Sequence, residues 1–434
     1  MVRGKGTGFL SLPDFSEDVV IERERLGFGL DGDLVEVKLF ETKPGKRPEG
    51  KEVKVLESAR QDFVGTVKPP EAGLPHCYLL PDNKRIHIKP LLPKVKKDQV
   101  GLKVVVKISR WTNPALEPMA TITEILGRTG EHETEMKAII HSGGITEGFP
   151  PAVEEKAQSL HLKREEIFAT ALRETTKPDG RRRDLRDLTT ITIDPADAKD
   201  FDDAISVRTL KPGRFELGVH IADVSAYVRE GDVIDKEAAE RGTSVYLVDR
   251  VIPMLPEVLS NDLCSLTPKT DKLAFSAIFE LDSEGGILNE WFGQTIIHSN
   301  KRLTYQEAQA ILDNKDGPLL TELETAMSLA RKLRQKRYRQ GAIAFEQPEV
   351  VFKLDESGKP LEVIAKERTE TMLMIEDLML LANQRVATHI NKLPGKSRER
   401  AFVYRVHDVP DRERIEELAI FLHALGYELK TDNG

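Results

Sequence analysis

The segment IDPADAKDFDD, residues 193–203, packs five aspartates into eleven positions: Asp194, Asp197, Asp200, Asp202 and Asp203. Unit charges about 4 Å apart repel by roughly 1 kcal/mol in water and about 4 kcal/mol near a protein surface. A fold that holds these carboxylates together needs a compensating cation. The preceding TTITID, residues 189–194, reads as a strand ending at Asp194. The remaining acids then fall in the turn that follows, with Asp200 and Asp202 on one side wherever the chain is extended. Mg²⁺ suits this composition, because it takes oxygen ligands, keeps waters and completes its shell with substrate phosphate. Two such ions about 3.5–4 Å apart would stabilise both the attacking and the leaving oxygen of an in-line phosphoryl displacement. Phosphodiester cleavage is the chemistry this pattern points to, against the blander alternative of an acidic surface loop. An EF-hand is disfavoured because Lys199 stands at the sixth position, where the sharp turn needs glycine.

A chain of 434 residues exceeds one ordinary hydrophobic core and is expected to hold two to four domains. Two distant cysteines, Cys77 and Cys264, offer neither a disulfide framework nor a zinc spacing, which fits a reducing cytosol. No secretory signal and no apolar run of about 18 residues is present, so a cytoplasmic protein without a membrane partner is expected. The net charge of −8 would argue against a polyanionic partner if it were spread evenly. Between Lys84 and Arg110, however, nine basic residues stand against the single acid Asp98, and RKLRQKRYRQ, residues 331–340, carries six basic residues and no acid. Such patches, separate from the aspartates, fit an anionic polymer gripped in one place and worked on in another. The alternative is a solvated charged face.

Residues 1–128 hold short β-branched runs at roughly ten-residue spacing, among them DVVIERE, DLVEVKLF, KEVKVLES, FVGTVKP and LKVVVKIS, which suggest small antiparallel barrels. Two are expected, at 1–60 and 61–128, since GTGFLSLPD and FVGTVKPPEAG open each set alike. Residues 129–180 read as a helical linker, with PPAVEEKAQSL placing prolines at a helix start. Residues 181–434 mix strands such as RFELGVHIADVSAYV, LAFSAIFELD and NEWFGQTIIHS with helices. Thr304 and Glu307 form a capping box that should start one helix. A second is expected over 319–339, stopped by Gly341, and a third over 370–390. The expected class is multidomain, two all-β modules followed by an α+β domain.

GRRRDLRDLTTITIDPADAKDFDDAIS, residues 180–206, resembles the signature of the ribonuclease II and ribonuclease R family of 3′ to 5′ exoribonucleases. VHIADVSAYV, GTSVYLVDRVIPMLP, LSNDLCSL, RLTYQEA, GAIAFE and IEDLMLLAN follow in the family's order, and the close run of these motifs favours the ribonuclease R branch. The resemblance implies that the N-terminal barrels are cold-shock, OB-type domains and that 181–434 is an RNB catalytic domain. It implies that Asp194, Asp200 and Asp203 bind Mg²⁺, in two ions, and that Asp202 is the most sensitive catalytic position. Tyr246 and Phe345 become the aromatic pair that grips terminal bases, Tyr305 a residue near the departing nucleotide, and Glu376 a ribose contact. Asp197 has no counterpart role. From the residues alone, Tyr246 and Phe345 also read as core aromatics, Glu376 as an ion-pair partner of an arginine such as Arg385, and His220 as a satisfied strand residue.

The family's arginine segment resembling SPIRRYADL and its C-terminal S1-type barrel do not precede Gly434, so a fragment is expected, a monomer completed by a separate C-terminal segment. The expected activity is Mg²⁺-dependent, processive release of nucleoside 5′-monophosphates from single-stranded and also structured RNA. The alternative is a non-catalytic RNA-binding protein with the same fold. A glycosyltransferase using DFD, residues 200–202, as a DxD motif ranks lower, since no other nucleotide-sugar pattern accompanies it.

Overall fold

The structure is a computed structural model that describes residues 2–3, 6–12, 17–41, 47–177, 182–343, 349–356, 358–365, 367–393, 402–406, 409 and 411–429. Two compact units divide the chain: Met1–Arg164 with Tyr227–Ser260 and Glu346–Glu367, and Glu165–Ala226 with Asn261–Phe345 and Arg368–Gly434.

The first unit opens with an antiparallel sheet of Val2–Arg3, Thr7–Leu10 and Val19–Ile21, linked through a Val20–Glu49 bridge to a hairpin of Leu34–Leu39 with Gly50–Glu57. A closed five-stranded barrel follows, built from Asp62–Lys68, Cys77–Pro81, Leu91–Leu92, Leu102–Arg110 and Met119–Arg128. Alternation along KVVVKI sends Val104 and Val106 into the barrel with Val67, Leu79 and Leu92, while Val105 packs with Ala138 of helix α1, His132–Gly143. Gly65 is required by the close approach of two strands, since a Cβ there would lie 2.2 Å from the Leu80 carbonyl oxygen.

The basic run at 84–110 is not the uniform charged face the sequence suggests. Lys103 is buried and clasped between Asp82 at 2.9 Å and Glu135 of α1 at 2.7 Å, and Lys89 pairs with Glu71 at 2.5 Å. Lys103 therefore fastens α1 to the barrel. Two short hairpins complete this unit, Val245–Tyr246 with Val251–Ile252 and Val350–Leu354 with Pro360–Ala365.

The second unit is a six-stranded sheet of β1 (Arg182–Asp184), β2 (Thr190–Asp194), β3 (Asp203–Lys211), β4 (Arg214–Ala222), β5 (Thr270–Asp282) and β6 (Ile287–Thr304), in the order β1-β6-β2-β3-β4-β5. β6 continues through RLT, which sequence reading had not counted as strand. Its length lets it pair with β5 through its first part and with β2 through its end, Ser299 standing opposite both Thr270 and Thr190. One face of the sheet carries Ile191, Ile193, Ile205, Leu217, Val219, Phe279 and Leu281 against helices α2 (Tyr305–Asn314), α3 (Leu320–Arg339) and α4 (Glu370–Lys392). Thr304 caps α2 as its sequence requires, accepting from Glu307 N at 3.0 Å while the Glu307 carboxylate accepts from Thr304 N at 2.7 Å.

α3 and α4 are joined by charge, so part of RKLRQKRYRQ, expected as a patch for an anionic polymer, also serves the fold. Asp377, 2% exposed, accepts from Arg334 Nε at 2.8 Å and from Arg337 Nη2. Arg331 reaches Glu370 at 3.1 Å and Lys332 reaches Glu284 at 2.9 Å. Arg334 and Arg337 are thus committed within the fold, while Arg331 and Lys332 make ion pairs at its surface.

Candidate active site

Every residue of β2 is buried, and β2 lies between β6, parallel to it, and β3, antiparallel. Asp194 ends the strand opposite Thr304 and is 7% exposed. Residues 195–202 leave the sheet and return at Asp203, the first residue of β3. Several contacts strap this loop down. Arg302 of β6 donates through Nη2 to the carbonyl oxygens of Pro195 at 2.5 Å and Ala196 at 3.0 Å. Phe201 N donates to Ser265 Oγ at 2.9 Å, and the Ser265 hydroxyl donates to the Lys199 carbonyl oxygen at 3.0 Å. Leu266 N reaches the Phe201 carbonyl oxygen at 2.8 Å, and Ala222 N reaches that of Asp202 at 2.9 Å. Phe201 is buried and Arg302 sits over its ring, so the phenylalanine within DFDD is the apolar anchor of the loop. Its neighbours differ in exposure: Asp200 is half-buried, and Asp202 and Asp197 are exposed.

The carboxylates act on one another. Burial pushes Asp194 up to about 7, with repulsion from Asp203 and Asp200 adding to it and the charge of Arg302 opposing it. Burial, and then Asp202, push Asp203 up to about 6. Asp202 is raised in the same direction by crowding of its carboxylate and then by Asp200, although the residue as a whole presents surface to solvent. Asp194 Oδ2 is shut off from solvent without a hydrogen-bond partner, as is the Thr192 hydroxyl. An ionised oxygen in that position is costly unless a cation meets it. Among the described residues, no three histidine, cysteine or acidic side chains converge tightly enough to enclose an ion. The donor set is all oxygen, and its buried, unpaired member fits a hard divalent cation approached from the loop side.

Tyr305 begins α2 directly after the cap, and burial together with the charges of Asp203 and Asp194 pushes its hydroxyl up to about 12. The fold therefore brings Tyr305 to the aspartates. Glu376, on α4, pairs with Arg368 and not with Arg385, which makes a bidentate contact to Glu290 at 2.7 Å through both nitrogens. His220 is fully buried between Ser206 at 2.9 Å and Ser276 at 2.7 Å, which makes it a structural strand residue. Tyr246 belongs to the first unit and is 67% exposed on its hairpin, so it is not a core aromatic. Phe345 lies outside the described residues.

Sequence reasoning missed Arg302, Thr192 and Ser265. Arg302 lies within RLTYQEA, and extending β6 through RLT would have placed it opposite Thr192 on β2. Ser265 lies within LSNDLCSL, but nothing local announces a loop 64 residues earlier as its partner.

Comparison with known proteins agrees with this architecture. Residues 182–433 match the RNB domain, residues 78–150 the cold shock domain, and residues 2–55 the ribonuclease B OB domain. The chain is 36% identical to Ribonuclease R of Aquifex aeolicus over 98% of its own length and 58% of that protein. It therefore spans a little over half of this curated relative. Mycoplasma genitalium RNase R, solved in complex with ribose methylated single-stranded RNA, superposes with a TM-score of 0.87 at 27% identity, covering all of this chain and 67% of the other. Yeast Ssd1, described as a pseudonuclease, shares the fold at a TM-score of 0.68 and 20% identity, over 98% of this chain and 57% of that one.

Proposed function

The chain belongs to the RNB-domain family, and from that premise we propose that it acts as a Mg²⁺-dependent exoribonuclease, shortening RNA processively from the 3′ end to nucleoside 5′-monophosphates. The observation that carries this reading is the unpaired, buried Asp194 oxygen within a group of mutually repelling carboxylates strapped to the end of a central strand. Likeness to an RNase R solved with single-stranded RNA supports RNA as the substrate class.

In this reading Asp194, Asp200 and Asp203 hold the metal, as two ions. These carboxylates would hold divalent cations, and the chemistry such ions would supply there is neutralisation of phosphoryl oxygens in an in-line displacement. Asp202, exposed and with its proton affinity raised, accepts the proton of the attacking water. Tyr305 keeps its proton at neutral pH and donates a hydrogen bond to the departing nucleotide. Glu376, half-exposed and paired with Arg368, accepts from a ribose hydroxyl. Tyr246, exposed on its hairpin, stacks on a base, with Phe345 as its partner. Single-stranded RNA is the first substrate and structured RNA the second, the protein working as a monomer in the cytosol, where Cys77 and Cys264 stay reduced.

The test is incubation with 5′-labelled single-stranded RNA, with and without Mg²⁺, together with titration calorimetry of the metal. A 3′ shortening ladder, 5′-mononucleotide release and two ions per chain are the expected results. Binding of RNA without shortening would replace this reading with that of a non-catalytic RNA-binding protein.

A further inference from the structure

The hairpin of residues 245–252 pairs only two residues on each side, Val245 with Ile252 and Tyr246 with Val251, and closes its turn through Leu247 N to the Arg250 carbonyl oxygen at 2.8 Å. A ladder that short has little stability of its own, so its position must be set from outside. The tethers are side chains of α1 and of residues flanking the hairpin.

At the tip, Asp249 Oδ2 lies 2.8 Å from His132 Nε2, and Arg250 reaches both carboxylate oxygens of Glu133, at 3.3 and 2.5 Å. His132 and Glu133 are the first two residues of α1, the helix that Lys103 fastens to the barrel. Arg250 also turns back onto Asp249 at 3.1 and 2.8 Å, which orients the carboxylate toward the histidine. Past the end of the ladder, Arg241 Nη1 donates to the Pro253 carbonyl oxygen at 3.3 Å while its Nε holds Glu237 at 2.8 Å and its guanidinium covers the Phe149 ring at 3.9 Å. The turn of the second hairpin closes on the same place: Gly358, at φ +82°, is so near that a Cβ would come within 3.4 Å of Asp249 Cβ. Both polar partners at the tip are largely covered, with 16% of the His132 and 9% of the Asp249 side chain exposed. Screening by solvent is weak there, unlike in an ordinary surface pair. Between the tip contacts and the Arg241 contacts stands Tyr246, exposed.

We propose that His132, Glu133, Asp249 and Arg250 are positioning residues for Tyr246: the tether to α1 fixes where this aromatic ring is presented to the RNA and so sets how tightly a short 3′ end is held. The inference rests on the reading of Tyr246 as a stacking residue given above. Arg250, and to a lesser degree His132, lower the Asp249 carboxyl to about 2, so it stays an ionised acceptor for the tether. A stacked ring gains its contact energy only where it meets the face of a base. A hairpin of two pairs could not hold that alone.

The experiment has two arms on the whole chain. In the first, a nitroxide is attached at Tyr246→Cys and its mobility is read by electron paramagnetic resonance in the parent and in His132→Ala, His132→Gln and Asp249→Asn backgrounds, with thermal midpoints recorded for each. His132→Ala should raise the mobility of the label, and His132→Gln, which still donates to Asp249, should restore it. Unchanged mobility in His132→Ala overturns the tether whatever RNA does. In the second arm, affinity is measured for oligoadenylates of about 5 and about 20 nucleotides. His132→Ala should weaken the shorter one by about tenfold, within the range of one lost base stack, and the longer one far less. The double variant His132→Ala/Tyr246→Ala should be no weaker than Tyr246→Ala alone. Additive losses, or a short-RNA affinity in His132→Ala equal to the parent's while Tyr246→Ala is impaired, would refute positioning. An unaffected Tyr246→Ala would instead remove the stacking reading, and the inference with it, even where the first arm shows the hairpin tethered.

Discussion

Arg302 Nη2 lies 2.5 Å from the carbonyl oxygen of Pro195, so a strand residue more than a hundred positions away fixes the entry to the aspartate loop. The guanidinium also lowers the proton affinity of Asp194 and covers the Phe201 ring. Among the described residues, Arg302 both braces the backbone of the loop and acts on its buried carboxylate.

Replacing Arg302 with Lys should therefore weaken metal binding and turnover together. A lysine keeps the charge but loses the planar guanidinium that lies over the Phe201 ring while its Nη2 meets the Pro195 and Ala196 carbonyl oxygens. Supporting residues of this kind typically cost 10–100-fold in metal affinity or activity. Calorimetric metal affinity and single-turnover cleavage should fall in parallel, with RNA affinity in EDTA unchanged. Loss of RNA affinity without loss of metal affinity would move Arg302 out of the support of the loop.

For Asp202→Asn, the amide keeps the size but loses the charge and the proton-accepting oxygen. Cleavage should fall by about 10² or more while RNA affinity changes little. Turnover within tenfold of the parent, measured on the same RNA at saturating Mg²⁺, would reassign the residue.

The raised carboxylates make stability depend on pH in a defined direction when metal is chelated. Asp194 binds its proton more tightly folded, up to about 7, than unfolded, near 3.8. The unfolded chain loses that proton first, so stability falls as pH rises from about 4 to about 7 and is flat beyond. Asp203 adds to the same slope up to about 6. Denaturant midpoints in EDTA should drop across this window, and Asp194→Asn should flatten the profile and raise the midpoint at pH 8. Mg²⁺ at about 100 times its dissociation constant should return roughly 2.7 kcal/mol to the parent at pH 8. A parent midpoint that rises from pH 4 to pH 7 in EDTA would contradict the crowding of these groups.

The charges between α3 and α4 should report on folding and not on RNA. Asp377→Ala leaves Arg334 and Arg337 facing a largely buried gap and should cost about 3–5 kcal/mol. Arg334→Gln and Arg337→Gln together should lower the thermal midpoint while leaving the salt slope of RNA binding as in the parent. A slope reduced by about one per arginine would return these residues to an RNA-binding surface.

What the sequence determined by itself is what neighbours along the chain decide. The strand TTITID, the capping box of Thr304 with Glu307, the end of α3 before Gly341 and the turn through the aspartates all depend on groups within a few residues of one another. Backbone geometry then leaves little choice, and the DFDD pattern pointed to a cation site because carboxylates that close repel in any fold. Only the tertiary structure decided which opposite charges meet. Glu376 took Arg368 and left Arg385 to Glu290, Lys103 went into the barrel wall, and Arg334 and Arg337 of the α3 cluster turned inward to Asp377. Long flexible side chains reach many partners, and the choice among them rests on which elements the sheet brings together. Arg302 came to Pro195 for the same reason: β6 runs past the end of its local pattern to pair with β2, and no periodicity within β6 records that neighbour.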